Sequence, residues 1–330
     1  MKNIGITILV LLLAQMSFSQ CDVPSIEEYQ HHQIVSNYDT IFYHSYSTSK
    51  LDSVTRVVLY IQGSGGKPIF QLVRDSFGYN IFSSVPFDLN AFDRTTALIL
   101  VSKKGIPFCV EGKEDYIAPR SYFENEKLDY RVFQNNLVIN DLVEKIPNLK
   151  KCILLGHSEG SDVAAKLCTV NKSITHLGYW SGGGNSQFYD FPLFISKEMS
   201  SGAITQEEGL KQYESLIEQY KLMLSEKDSI DKQWYGNSFT RWAYFNDPPI
   251  ESLVKIDIPI YLVMGVSDNA VPFESAMLIP VEFARLRKDN LTHRFLPHLD
   301  HGFYEHKENG EVIFHWDSIF QEFLNWVDNH

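Results

Sequence analysis

Leu155-Gly156-His157-Ser158-Glu159-Gly160-Ser161 is the stretch on which the fold turns. It follows a short apolar run at 152–155 and leads into 162–168, which reads as a helix. G-x-S-x-G between a strand and a helix sets a serine oxygen on a sharp, strained turn. Backbone passes so close that small residues are required two positions before and after the serine. Gly156 and Gly160 meet that demand, and Ser161 is small as well. Ser158 is therefore the candidate nucleophile.

Working outward, short apolar β-rich runs alternate with longer helical patterns, which argues for parallel strands joined by crossover helices. The expected strands are 40–46, 57–61, 97–101, 152–155, 174–180, 260–264 and 292–296. From Val57 onward these runs are apolar on both faces, as the covered central strands of a parallel sheet should be. The run 40–46 alternates more and is expected as an antiparallel edge. Helix spacing marks 123–146, with Leu128, Val132, Leu137, Leu142 and Ile146 near one stripe. It also marks 312–327, through Trp316, Ile319, Phe320, Phe323, Leu324 and Val327, as a helix covering one sheet face.

The alternation stops at 185–246. Thr205-Gln206-Glu207-Glu208 has the form of a capping box, opening a helix to about residue 224. Leu210, Tyr213, Ile217, Tyr220 and Leu224 recur at three- and four-residue steps, so that face is expected to pack on something. An aromatic stretch follows with Trp234, Tyr235, Phe239, Trp242, Tyr244 and Phe245. The segment reads as a helical insertion in a core made of 20–184 and 247–330. Its functional form would be a lid over a pocket.

The 330 residues are 44% hydrophobic and 21% charged, an ordinary globular mixture. Against 29 Lys and Arg stand 41 Asp and Glu, a net charge of −12 that repels phosphate backbones and leaves nucleic-acid binding no electrostatic footing. Lys2, the apolar run 4–14 and Ser17-Phe18-Ser19 form the pattern of a secretory signal peptide over 1–19, which implies a secreted or periplasmic protein. A lipid anchor at Cys21 is opposed by Gln20, too large for the small position that such cleavage prefers. No other run reaches the length of a stable membrane span. Four cysteines remain beyond residue 19, and an oxidising compartment permits bridges without fixing them. Cys152 and Cys168 return to the same end of the sheet, so a bridge there is conceivable and would leave Cys21 with Cys109. Against it, a sheet-to-helix gap of roughly 10 Å exceeds the usual Cα reach of a disulfide.

On the Gly156–Gly160 motif and its context the chain resembles the α/β-hydrolase superfamily over nearly all of the sequence beyond residue 19. Within it, the blocks look most like bacterial secreted esterases and the catalytic domains of the prolyl oligopeptidase family. The resemblance implies a mostly parallel central sheet flanked by helices, and a nucleophile followed by an acid and then a histidine. For the acid, the run 260–265 leads into Val266-Ser267-Asp268-Asn269-Ala270-Val271-Pro272. An Asp at a strand's C-terminal end can hold the far N–H of an imidazole and stabilise the imidazolium. The plain alternative is an Asp bonding its own turn. For the base, His293 lies within a strand, while His298 and His301 follow it. His301, in Asp300-His301-Gly302-Phe303, matches the family string.

An oxyanion hole needs two backbone N–H groups. One is expected from Glu159. The resemblance places the other in Gln62-Gly63-Ser64-Gly65-Gly66, at Ser64 with Gly63 as the alternative, although relatives often carry His-Gly where this chain has Gln62. The Glu159 carboxylate is expected to serve structure, paired with Lys103 or Lys104, ahead of binding a cationic substrate amine. Ser181-Gly182-Gly183-Gly184 is expected to border the pocket. No H-E-x-x-H or similar ligand set occurs, so neither metal nor cofactor is expected. The outcome expected is acyl transfer to water through Ser158, His301 and Asp268, on a small-molecule ester. The alternatives are a short peptide substrate, as for the prolyl oligopeptidase type, and a non-catalytic binding module on the same fold.

Overall fold

The computed structural model describes residues 21, 23–36, 39–76, 78–112 and 116–330, so the expected signal segment 1–19 lies outside the described residues. Eight strands form the central sheet: β1 Gln30–Val35, β2 Thr40–Tyr46, β3 Arg56–Ile61, β4 Thr96–Val101, β5 Lys151–His157, β6 His176–Trp180, β7 Ile260–Gly265 and β8 Leu291–Leu296. Their order across the sheet is β1-β2-β4-β3-β5-β6-β7-β8. β2 pairs antiparallel with both β1 and β4, and every pairing from β4 to β8 is parallel.

The parallel strands from β3 to β7 are apolar on both faces because each face has its own core, whereas β8, at the far edge, exposes His293 and Arg294 against expectation. Along β3, Val57, Leu59 and Ile61 point to one side, and Val58 and Tyr60 to the other. The first side is covered by α1 Leu128–Lys145, through Leu128, Val132, Val138, Ile139 and Leu142, and by α2 Glu159–Val170. The opposite side is covered by the last helix, Trp316–Asn329, whose Trp316, Ile319, Phe320, Phe323, Leu324 and Val327 are all buried.

Several elements differ from expectation for local reasons. The edge of the sheet is β1, not β2. Its sequence, Gln-His-His-Gln-Ile-Val, carries no apolar alternation to announce it. The helix expected over 123–146 is two helices, Arg120–Glu124 and α1, because Asn125 turns its Nδ2 onto the Ser121 carbonyl at 2.9 Å and Lys127 is extended. The helix expected from 312 starts at Trp316, since Val312–Phe314 pairs as a strand with Tyr304–His306. A side sheet of Gly78–Ser83, Phe70–Asp75 and Cys109–Glu111 was not foreseen.

Between β6 and β7 lie α3 Asp190–Ser201, α4 Gln206–Ser225 and α5 Phe239–Tyr244. The capping box at Thr205 and Glu208 is formed in both directions. The stripe expected to be buried on α4 is packed only in part: Tyr220 stacks on Phe188 at 3.7 Å and Ile217 is half-buried. Leu210, Tyr213 and Leu224 are exposed, whereas Gly209, Leu216 and Met223 are buried. The contact centres on Gly209, where a side chain would collide with Met199 of α3. Phe188, Leu216, Met223, Phe239 and Trp242 give these helices a small core of their own.

Cys21 is bridged to Cys109, with Cα atoms 6.1 Å apart, which ties the start of the described chain to the side sheet. That bond leaves the Cys21 sulfur unavailable to a lipid. The conceived bridge between Cys152 and Cys168 does not form: both are free and buried, one on the sheet and one on the helix layered over it.

Candidate active site

The turn between β5 and α2 is built by steric exclusion. A Cβ on Gly160 would lie 2.0 Å from the Ile61 carbonyl oxygen, and one on Gly156 would lie 2.4 Å from that of Gly160. Only glycine lets β3, β5 and α2 approach this closely. Ser158, between them, is held at φ 57° and ψ −131°, a region that costs a non-glycine residue of order 1–3 kcal/mol. The surroundings enforce it. The Ser158 N–H donates to the Trp180 carbonyl at 2.9 Å, and Ser161 Oγ donates to the Gly156 carbonyl at 2.9 Å while accepting the Trp180 N–H at 3.1 Å.

Asp268 follows β7, its side chain fully buried. One carboxylate oxygen accepts the N–H groups of Ala270 and Val271, each at 2.8 Å. The other lies 2.7 Å from His301 Nδ1. A carboxylate only accepts, so this contact assigns a proton to Nδ1, and in the neutral imidazole Nε2 is then the acceptor. His301 is fixed beside the elbow through its carbonyl, which accepts from His157 Nε2 at 2.9 Å and Ser181 Oγ at 3.1 Å. Asp300 is turned elsewhere, accepting the N–H groups of Gly302 and Tyr304 and pairing with His306, each at 2.9 Å. His293 is exposed on β8, and His298 is exposed in the following turn.

The loop after β3 meets the elbow directly, for a Cβ on Gly63 would stand 3.1 Å from Ser158 Cβ. Ser64, Ser158, Glu159 and Asp268 open onto one cavity of about 1340 Å³. Gly182 and Gly183 border it, and its far walls come from the insertion, including Phe191, Phe194, Trp234, Tyr235 and Trp242.

Glu159 does not pair with Lys103 or Lys104 in the expected way. Arg131 Nη1 donates to its Oε1 at 2.8 Å, and Arg241 Nε donates to its Oε2 at 2.8 Å. All three side chains are buried. Burial alone would push the Glu159 carboxyl up, but Arg241 and Arg131 outweigh it and hold it below the ordinary carboxylate range. Lys104 pairs with Asp39 instead, and Lys103 binds backbone carbonyls. Two more acids line the cavity: burial pushes Asp162 up to about 7 and Asp190 up to about 8.

Sequence reasoning missed Arg131 and Arg241. Arg131 sits between Leu128 and Val132 on the stripe that packs α1, and a cation there signals a buried anion. Arg241 is the one cation within 233–245, the aromatic stretch.

The strand order, the turn between β5 and α2 and the mostly parallel sheet flanked by helices define an α/β-hydrolase fold. No protein-family model and no curated protein matches the chain. Among solved structures it is similar to an acylaminoacyl peptidase of Pyrococcus horikoshii, with a TM-score of 0.52 and 13% identity over 83% of this chain. It is likewise similar to a puromycin-hydrolyzing peptidase of Mycobacterium tuberculosis, with a TM-score of 0.50 and 14% identity over 86% of this chain. The chain spans 37% and 38% of the lengths of those two peptidases. Est1E of Butyrivibrio proteoclasticus, matched over 91% of this chain and 99% of its own, gives a TM-score of 0.49 at 13% identity. At such identities the likeness is one of fold.

Proposed function

We propose that this chain is a secreted serine hydrolase that cleaves carboxylic esters through an acyl-enzyme, with Ser158 as nucleophile, His301 as general base and Asp268 as the acid that orients it. The observation that carries the proposal is the 2.7 Å contact between Asp268 Oδ2 and His301 Nδ1, with Asp268 lining the same cavity as a serine held at φ 57°. Nε2 of His301, left as an acceptor, takes the Ser158 proton as Oγ adds to the ester carbonyl. The oxyanion is met by the N–H groups of Ser64 and Glu159. The alkoxide leaves with the proton from Nε2, and water deprotonated by the same nitrogen releases the acid and restores Ser158.

Ester rather than N-terminal amide substrates are favoured by the cavity's charges. An aminopeptidase needs an ionised carboxylate for the substrate ammonium. Both oxygens of Glu159 are taken by arginines, and burial drives Asp162 and Asp190 toward their neutral forms. The insertion, which supplies the aromatic walls, serves in this reading as the lid.

Labelling with a fluorophosphonate, followed by p-nitrophenyl esters of rising chain length beside aminoacyl-naphthylamides, tests the proposal. Ser158 should be labelled and esters turned over. Ser158→Ala should abolish both while leaving the melting temperature nearly unchanged. Faster turnover of the naphthylamides would make it a peptidase, and no labelling of folded protein would make it a binding module.

A further inference from the structure

The loop that carries Gly63 and Ser64 rests on two buried cations that the triad does not use. Lys103 Nζ donates to the carbonyl oxygens of Gly63 and Gly65, each at 2.6 Å. Arg131 Nη2 donates to the carbonyl of Gln62 at 2.7 Å while its Nη1 holds Glu159. Lys103 follows β4 and is 8% exposed, and Arg131 comes from α1.

A trans peptide is planar, so the C=O of one residue and the N–H of the next point in opposite directions within one rigid unit. Whatever holds the Gly63 carbonyl therefore aims the Ser64 N–H the other way, and whatever holds the Gln62 carbonyl aims the Gly63 N–H. Lys103 lies on the buried side of the loop, whereas Ser64 lines the cavity with Ser158. We propose that Lys103 is a positioning residue for catalysis, fixing the Gly63–Ser64 peptide so that its N–H faces the developing oxyanion. It touches no substrate and acts through the loop. The inference rests on the serine hydrolase reading above and extends it to a residue outside the triad.

The groups facing Lys103 fit a fixed, water-poor support. Arg131 and Arg241 repel its charge, while Glu159 and Glu126 attract it. The ring of Tyr122 stands 5.9 Å from Nζ. Burial, the largest influence, with Arg131 and Arg241 pushes the ammonium down to about 7. Hydrogen bonds from Nζ to two carbonyls, which the ammonium and the neutral amine can both donate, are what hold it in place.

Lys103→Met keeps the aliphatic stem and removes the donor. If the N–H loses its aim, the transition state suffers and the ground state does not, since removing one oxyanion donor outright costs about 10²–10³ in kcat. Expected for Lys103→Met is a loss in kcat of roughly 30- to 300-fold with KM within threefold. Affinity for an arylboronic acid, which forms a tetrahedral adduct on the serine, should fall in parallel, and binding of the product carboxylate should not. Lys103→Arg, which retains a cation, should recover at least tenfold of the loss. If Lys103→Met does not fold, Lys103→Gln is held to the same thresholds. A kcat within threefold of wild type, or equal losses for boronate and product, would overturn the positioning role. Failure of the underlying reading would look different: wild-type protein would itself be unlabelled and inactive.

Discussion

Two acids could serve His301, one 33 residues upstream and one its immediate chain neighbour, and their bonds already separate them. Asp268 spends one oxygen on the two amides of its own turn and the other on His301 Nδ1, so its orientation is fixed before any substrate arrives. Asp300, the immediate neighbour, faces its own turn and His306. In serine-protease triads, changing the acid to its amide keeps the shape but favours the wrong imidazole tautomer, at about 10⁴-fold in kcat. Asp268→Asn is therefore expected to lose roughly 10³–10⁴-fold, and Asp300→Asn roughly tenfold or less, with steady-state rates compared only between variants of native circular dichroism. If Asp300→Asn proved the more damaging, the acid would lie elsewhere. At this scale the sequence was legible because each triad candidate sat in a local string with its own steric or hydrogen-bonding logic. The partners of Glu159 were not, since Arg131 and Arg241 sit in a helix stripe and an aromatic stretch with no local string of that kind.

Among the elements, legibility followed burial. The strands from β3 to β7 are covered on both faces, so their apolar runs announced them. β1 is half-exposed and mostly polar, and in the side sheet the apolar residues, Phe70, Leu72, Ile81 and Cys109, are scattered among polar ones in short strands, so neither forms the continuous apolar run that marked the central sheet. On α4 the repeating apolar residues misled in part, because the packed seam runs through Gly209, which an apolar pattern ignores. The insertion's aromatic cluster faces the cavity, where the Phe191 ring lies tilted to Trp234 at 4.6 Å and edge-on to Trp242 at 5.5 Å. Excising the insertion would also take Arg241 from Glu159, and breaking a buried ion pair costs about 3–5 kcal/mol, so a point change is the cleaner probe. Phe191→Ala should lower kcat/KM for an octanoate ester by about tenfold or more while an acetate ester changes by less than about threefold, since each methylene in an apolar pocket is worth about 1–3 kcal/mol. Equal losses on both esters would show that the wall serves folding and not acyl selection.

For the whole molecule, the buried ionisable groups set how stability varies with pH. His157 and His176, pushed down by burial to about 3 and about 4, are neutral in the fold and charged when unfolded below the ordinary imidazole range, so they cost stability only in acid. Above about pH 6.5 they are neutral in both states and drop out. The acids of the cavity act from about pH 4 upward. Asp190, raised by burial to about 8, keeps its proton in the fold over a range where the unfolded chain has lost it. The folded state then binds more protons, so the slope of unfolding free energy against pH is negative and Asp190 lowers stability as pH rises toward 8. Asp162, raised to about 7, adds to this, while Lys103, lowered to about 7, works against it by shedding its proton only when folded. Asp190→Asn removes one contribution and leaves the others. Its stability relative to wild type is expected to improve by on the order of 1 kcal/mol or more between pH 5.5 and 8, read from denaturant midpoints at constant m. A difference that stays flat with pH would mean that Asp190 is already ionised in the fold. The cavity would then hold an anion after all, and the case against an ammonium-bearing substrate would weaken with it.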